Sequence, residues 1–334
     1  MTPRPGEDRD RSVTTGRWLL VGAVAGVYAS FGVVNASLAP LIDPVRRDLG
    51  LSLSSMGVVL GAWQFVYLLT AVPAGAVLDR FGTTRAIAVG GALVALSGFG
   101  RAAADGLGGL LVAVGLFGVG GPLISIGAPK LVRSHFDDRS RGPAMGVVAA
   151  APGVGATLAL VTANSVLMAR TGSWRATMAT FAGVAALACL LWLAASWWAD
   201  TSPRRRARAV PASDDAGRGD RGRDLPSSRR SDRNHDELAA ADTAEEEDGR
   251  DRDGPVAAAL ALLRVRRVRR LLAAVAGTFF VVHAMSNWVV EMLRSFGAGA
   301  ELASLGAAVL SLVGVVAALT LPSLTAPERR AVVL

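Results

Sequence analysis

Four pairs of polar residues stand at helical spacing inside otherwise apolar stretches. Tyr28 and Asn35 are seven apart, Gln64 and Tyr67 three, Thr157 and Asn164 seven, and His283 and Asn287 four. Such spacings bring two side chains to one face of a helix. Polar groups are costly to expose to lipid, so they turn toward the interior of a helix bundle. Two uses are open to each pair. It lines a path that hydrogen-bonds a polar solute, or it links helices through bonds worth about 1 kcal/mol or less. His283 is the only side chain well inside an apolar stretch whose ordinary pKa lies near neutrality. An imidazole with an ordinary pKa of about 6.5 can carry a proton, or can simply pack.

These residue types do not assemble a catalytic set. No nucleophile lies in an activating pattern with a base, and no Walker-type phosphate loop is present. The one cysteine, Cys189, lies in an apolar block and reads as packing, and no Cys/His group has metal-ligand spacing. Asp137-Asp138 and Glu245-Glu246-Glu247-Asp248 read as solvated charge. The chain is therefore read as a non-enzyme with neither cofactor nor metal.

The elements that position the polar pairs are long apolar blocks. Of the 334 residues 51% are hydrophobic, and the mean hydropathy is +0.41. A helix needs about 20 apolar residues to cross a bilayer core. Eight blocks meet that need, over residues 18–41, 55–78, 86–104, 107–128, 143–168, 176–198, 271–290 and 302–321. Pro73, Pro122 and Pro129 suggest kinks, and in an internal echo of the chain Pro73 is taken as the end of the second span. None of the eight contains Asp or Glu, and the 38 glycines suit close helix packing in lipid. The apolar block that follows the charged tail is too long for a signal-peptide core and reads as the first span.

The net charge of +8 admits a nucleic-acid partner, but the basic residues sit between apolar blocks and mostly on one side. Lys130 is the only lysine, and the rest are arginines. The N-terminal tail, Arg80, Arg85, Lys130, Arg133, Arg139, Arg141, the linker, Arg329 and Arg330 fall on one side. Arg46, Arg47, Arg101, Arg170, Arg175 and Arg294 fall on the other. The richer side is expected in the cytoplasm, which puts the N-terminus there and the chain in the cell membrane. Arg101, near the outer end of the third span, has two readings, attraction of an anion or snorkelling to the opposite interface, and the second is the expectation. Trp174, Trp197, Trp198 and Trp288 are expected at interfaces.

Between Asp200 and Pro255 the composition turns to Arg, Asp, Glu, Ser and Gly, which predicts disorder. Residues 260–272 follow, with Leu and Val between Arg264, Arg266, Arg267, Arg269 and Arg270. This segment either lies on the membrane surface or anchors the next span. The expected organisation is a tail (1–17), a six-helix bundle (18–198), a charged linker with a basic end (199–268), and two helices of a second bundle (269–334).

Gly75-Ala-Val-Leu-Asp79-Arg80-Phe81-Gly82-Thr-Thr-Arg85 joins the second and third spans. Gly75 permits close backbone approach, Gly82 permits a tight turn, and Asp79, Arg80 and Arg85 fix charge at helix ends. The pattern resembles the signature loop of the major facilitator superfamily, with Thr83 and Thr84 standing where basic residues are common. Gly172-Ser-Trp174-Arg175 resembles that family's turn between its fifth and sixth spans. Lys130 to Phe136, with Arg139 and Arg141-Gly142, resembles its second cytoplasmic loop. The wording around Gly120 to Lys130 and Met145 to Gly155 is most similar to the cyanate- and nitrate-type anion permease branch. Gly146, Pro152, Gly153 and Gly155 resemble an antiporter motif, or serve close packing.

The resemblance implies an all-α, multi-pass transporter that carries a small solute, an anion in that branch, by alternating access. Its partners would be that solute, a coupling ion and the bilayer. The sequence leaves the oligomeric state open. The resemblance also implies twelve spans, so the chain is expected to stop after the eighth. An internal echo points the same way, because Pro322 and Arg330-Ala-Val-Val-Leu repeat the order of Pro73 and Arg85-Ala-Ile-Ala-Val. Two other readings follow: an inactive fragment, or a membrane sensor or scaffold that works through its charged linker.

Overall fold

Eight long helices take up the apolar blocks. The computed structural model describes residues 5–136, 138–201 and 264–324. In chain order the helices are α1 (Pro5–Ala36), α2 (Leu53–Phe81), α3 (Thr83–Ala102), α4 (Leu107–His135), α5 (Asp138–Thr162), α6 (Trp174–Thr201), α7 (Arg266–Ser295) and α8 (Ala300–Leu324). Short pieces Ala39–Leu41 and Ile42–Asp48 extend α1. A π-helical stretch Ala163–Met168 and one turn Ala169–Thr171 extend α5. Each of the eight is long and apolar enough to cross a bilayer. The described residues contain no strand, and the fold is an all-α multi-pass bundle.

The chain divides into two units, Met1–Asp200 with Phe280–Leu334, and Thr201–Phe279. α7 starts in the second unit and ends in the first. Most of the charged linker and the Arg329–Leu334 stretch lie outside the described residues. Of the basic segment, Arg264 to Arg270 is described, and Arg266 opens α7.

Alternation of the helices gives the bundle two ends. The N-side carries the turn at Gly82, and the far side carries the turn between α3 and α4 at Asp105-Gly106. Gly82 ends α2 with φ +85, a conformation that glycine adopts at little steric cost, and its N–H bonds to Leu78 O at 3.1 Å. On the far side Ser52 caps α2 by accepting from the Ser55 N–H at 3.1 Å.

Two local expectations are corrected, at Pro73 and Gly75. Pro73 lies inside α2, which runs eight residues past it to Phe81. Proline is tolerated within membrane helices because neighbouring groups re-satisfy the freed backbone. Asp79 and Arg80 therefore stand on the last turn of a helix, and only Gly82 forms the turn. At Gly75 no neighbour lies within 4 Å of an added Cβ, so it does not mediate backbone approach. Trp174, the first residue of α6, is packed into the bundle at the far-side turn, and its indole N–H donates to Asp48 Oδ2 at 3.1 Å.

Small residues set the close packing. An added Cβ at Gly155 would meet Ala29 O at 1.8 Å, and one at Gly32 would meet Pro152 O at 1.9 Å. This is how α1 and α5 touch backbone to backbone. Gly153 packs against the Val315 side chain of α8, whose Ser311 donates to Gly153 O at 3.3 Å. The Gly/Pro run of α5 thus serves close packing. The glycine pair Gly90 and Gly120 joins α3 to α4, and Gly98 seats Ala182 of α6. Outward-facing Phe65, Leu68, Leu69, Val112, Leu190 and Leu191 are exposed, as a lipid-facing surface requires.

Candidate functional site

An aromatic cluster lies at mid-height where α1, α2 and α4 meet the far-side half of α7. Trp63 stands ten residues into α2, which places it about 15 Å from the far-side end of that helix. Phe117 stands equally deep in α4. Phe31 and Phe117 stack at 4.5 Å, and Trp63 meets both edge-on at 6.4 and 5.5 Å. Tyr67 meets Trp63 at 6.0 Å, Tyr28 meets Phe31 at 5.8 Å, and the His283 ring meets Trp63 at 5.2 Å.

Polar atoms are set into this cluster. Tyr67 and Ser125 share a hydrogen bond of 2.6 Å between α2 and α4. Asn287 reaches Leu60 O at 3.5 Å. Gln64 Oε1 is buried without a partner. Aromatic faces with a few convergent hydrogen-bonding groups are the usual lining of a small-molecule site. Among the described residues no group of three His, Cys, Asp or Glu side chains could hold a metal.

Of the polar residues read from the sequence, Tyr28, Gln64, Tyr67, His283 and Asn287 fall in or beside this cluster. Asn35 is half-buried about 10 Å along α1 from Tyr28. Thr157 bonds its own helix at Gly153 O, 2.9 Å away. Asn164 lies elsewhere, in the π-helical stretch at the far side. Its Nδ2 donates to Pro40 O at 3.2 Å, Ala300 O at 3.3 Å and Ser304 Oγ at 2.8 Å. Asn164 thus ties the ends of α1, α5 and α8 together.

Charge completes that far-side closure. Asp43 accepts from Arg46 at 3.4 Å, Arg47 at 3.0 Å and Arg294 of α7 at 2.7 Å, and its side chain is 13% exposed. Asp48 pairs with Arg175, whose guanidinium also donates to Ala104 O at 3.1 Å. Arg46 and Arg47 meet Asp43 within one short helix, but the contacts of Arg294 with Asp43 and of Arg175 with Asp48 were not legible in the sequence, because those partners stand on separate helices.

The signature stretch sits at the N-side. Lys130 of α4 donates to Asp79, Arg80 lies over its neighbour Phe81 at 5.6 Å, and Arg85 is exposed on the first turn of α3. Asp79 is thus held within the first six helices.

Arg101 departs from expectation. It is 2% exposed and does not reach the interface. Helical Cα–Cβ bonds tilt toward the helix N-terminus. A side chain near the far-side end of α3 therefore points back into the membrane. Its Nη1 donates to Val34 O at 2.7 Å, and its guanidinium lies 5.1 Å from the Phe117 ring centre.

Residues 23–334 match the family described as Major Facilitator Superfamily. One curated relative, a "probable galactarate/D-glucarate transporter" of Bacillus subtilis, is 36% identical over 76 residues. That match covers 23% of this chain and 17% of the relative's length. Among solved structures, a proton:xylose symporter bound to 6-bromo-6-deoxy-D-glucose has a TM-score of 0.63 at 16% identity, covering 93% of this chain and 69% of that one. A D-xylose-proton symporter has a TM-score of 0.57 at 16% identity, covering 90% of this chain and 66% of that one.

Proposed function

This chain belongs to the major facilitator superfamily, and from that premise we propose that it carries a small solute across the membrane by alternating access. The observation that carries the reading is the mid-height cluster of Trp63, Tyr67 and His283. It is built jointly by α2 and α7 and is closed above by Asp43–Arg294 and by Asn164. Transporters of this kind bind near the bilayer midplane between two moving halves. A bridge that joins a first-half helix to α7 at one end is what such a cycle must break. The proposed halves are α1–α6 and a second set to which α7 and α8 belong. The charged residues around 199–268 link them.

The solute is proposed to be an anion, a polyhydroxy acid or a relative of one. Likeness to the galactarate/D-glucarate transporter supports this. So does the buried cation Arg101 behind Phe117. Proton coupling is proposed through His283, the titratable group on the path. The N-side is proposed to face the cytoplasm. The far-side Arg46, Arg47, Arg294 and Arg175 are matched by carboxylates, while Arg264, Arg266, Arg267, Arg269 and Arg270 crowd the opposite end of α7.

The test is uptake into proteoliposomes of labelled galactarate, D-glucarate and D-xylose, with and without an inward proton gradient. Saturable, gradient-driven accumulation of one acid is expected. No saturable flux of any of the three would overturn the reading. His283→Gln is expected to keep exchange at equilibrium and lose accumulation against a gradient.

A further inference from the structure

Arg101 is only partly satisfied. Nη1 has its acceptor in Val34 O, and Phe117 covers one face of the guanidinium. The remaining edge, Nε with Nη2, is the one that takes a carboxylate side-on through two parallel bonds. Nε is buried without a partner. Ser97 stands one turn earlier on the same face of α3, under the returning Arg101 side chain. It is 0% exposed, and its hydroxyl is likewise without a partner.

Two far-side carboxylates are engaged elsewhere, and among the described residues no ion pair joins Arg101 to Asp105, which is exposed on the turn after α3. Asp43 holds Arg46, Arg47 and Arg294, and Asp48 holds Arg175. A cation kept inside a helix bundle is strongly unfavourable unless it is paired. One carbonyl and one ring face are thin compensation. Two unpartnered buried donors on adjacent turns are therefore a charge and hydrogen-bond deficit that an anion would satisfy.

We infer that Arg101 and Ser97 form a docking position for a small anionic group, either a carboxylate of the carried solute or a free halide. The side-on edge of Arg101 would take two bonds and Ser97 a third. Phe117 is the ring between this position and the Phe31–Trp63 cluster, so its rotation is the step that connects them. The carboxylate form of the inference rests on the transport reading, and the halide form does not.

The experiment measures thermal unfolding of the purified full chain at constant ionic strength. The titrants are sodium chloride, sodium acetate and sodium galactarate, with galactitol as the neutral control. At least one anion is expected to raise the unfolding temperature saturably, and galactitol is not. Arg101→Lys keeps the charge but loses the fork, so about tenfold weaker binding is expected. Ser97→Ala is expected to weaken binding severalfold, and Arg101→Gln to abolish it. A response to chloride alone assigns the position to a halide, and a response to acetate or galactarate assigns it to a carboxylate. No anion response in the wild type, or an undiminished one in Ser97→Ala and Arg101→Lys, overturns the inference. Should Arg101→Gln fail to fold, those two variants decide the matter. Galactarate flux that survives in every variant removes the docking position and leaves the carrier reading intact. Anion binding without flux of any solute does the reverse.

Discussion

Asp43 and Asp79 stand at opposite ends of the same bundle, and their surroundings are opposite too. Asp43 is 13% exposed and collects three guanidinium groups, one of them from α7. Asp79 is 73% exposed and has one partner, Lys130, on a neighbouring helix of the first six. A largely buried carboxylate fixed by several charge-assisted bonds is specific and costly to break. An exposed lysine pair is screened and contributes little. The far side is thus latched across the bundle, while the N-side motif is held loosely within one part of it. That asymmetry is what the proposed carrier should show when it is closed at one end.

The comparison breaks most sharply at Asp43. Asp43→Asn leaves three partly exposed arginines without a carboxylate, a loss of about 1.5–3 kcal/mol on the scale of charge-assisted hydrogen bonds. The latch should open. Spin labels at Ser52 and Phe296, in a Cys189→Ala background, should move apart and their distance distribution should broaden. An unchanged distribution would mean that the bridge is decorative. Arg294→Gln sharpens the point, because Asp43 keeps Arg46 and Arg47. Its expected effect is smaller, about 1–2 kcal/mol, the scale of one charge-assisted hydrogen bond. It should appear as a partial shift of the same distance distribution. If Arg294→Gln equals Asp43→Asn, the arm to α7 is the whole latch and the local arginines are spectators.

The spans were legible because an uncharged apolar block of about 20 residues has few alternatives to a membrane helix. The polar pairs were legible as faces of helices, and five of those residues do gather near Trp63. What the sequence hid was partnership. Trp63, Phe31 and Phe117 read as ordinary apolar filling, and only tertiary packing makes them a cluster. Asp43 and Arg294 are separated by most of the chain. The fate of Arg101 was half legible. The alternation of spans gives the direction of α3, and helix polarity then turns a far-side arginine inward, toward the serine one turn before it. Pro73 misled because proline is a stop signal in water and a tolerated residue in a bundle.

Gly82 offers an intermediate effect at the N-side. Its φ of +85 is strained for any residue with a Cβ, so Gly82→Ala should destabilise by about 1 kcal/mol. Gly75, seven residues earlier in the same motif and surrounded by open space, should accept alanine. Gly75→Ala is expected to be neutral or stabilising by about 0.5 kcal/mol, because alanine is the better helix residue. Thermal unfolding of the two variants side by side separates a turn requirement from a packing requirement within one motif.

The smallest effect is expected at Asp79 itself. With most of its side chain in solvent, Asp79→Asn should change stability by about 0.2–1 kcal/mol, and 0.5 M salt should erase most of that difference. The Asp43→Asn defect should persist at the same salt concentration, since burial limits screening. If Asp79→Asn proves as damaging to transport as Asp43→Asn while leaving unfolding untouched, Asp79 acts in a conformation other than the one described here. It would then exchange Lys130 for a partner that it meets only when the far side is open. Equal damage to stability as well would instead make the two ends equivalent latches, and the asymmetry between them would lose its meaning.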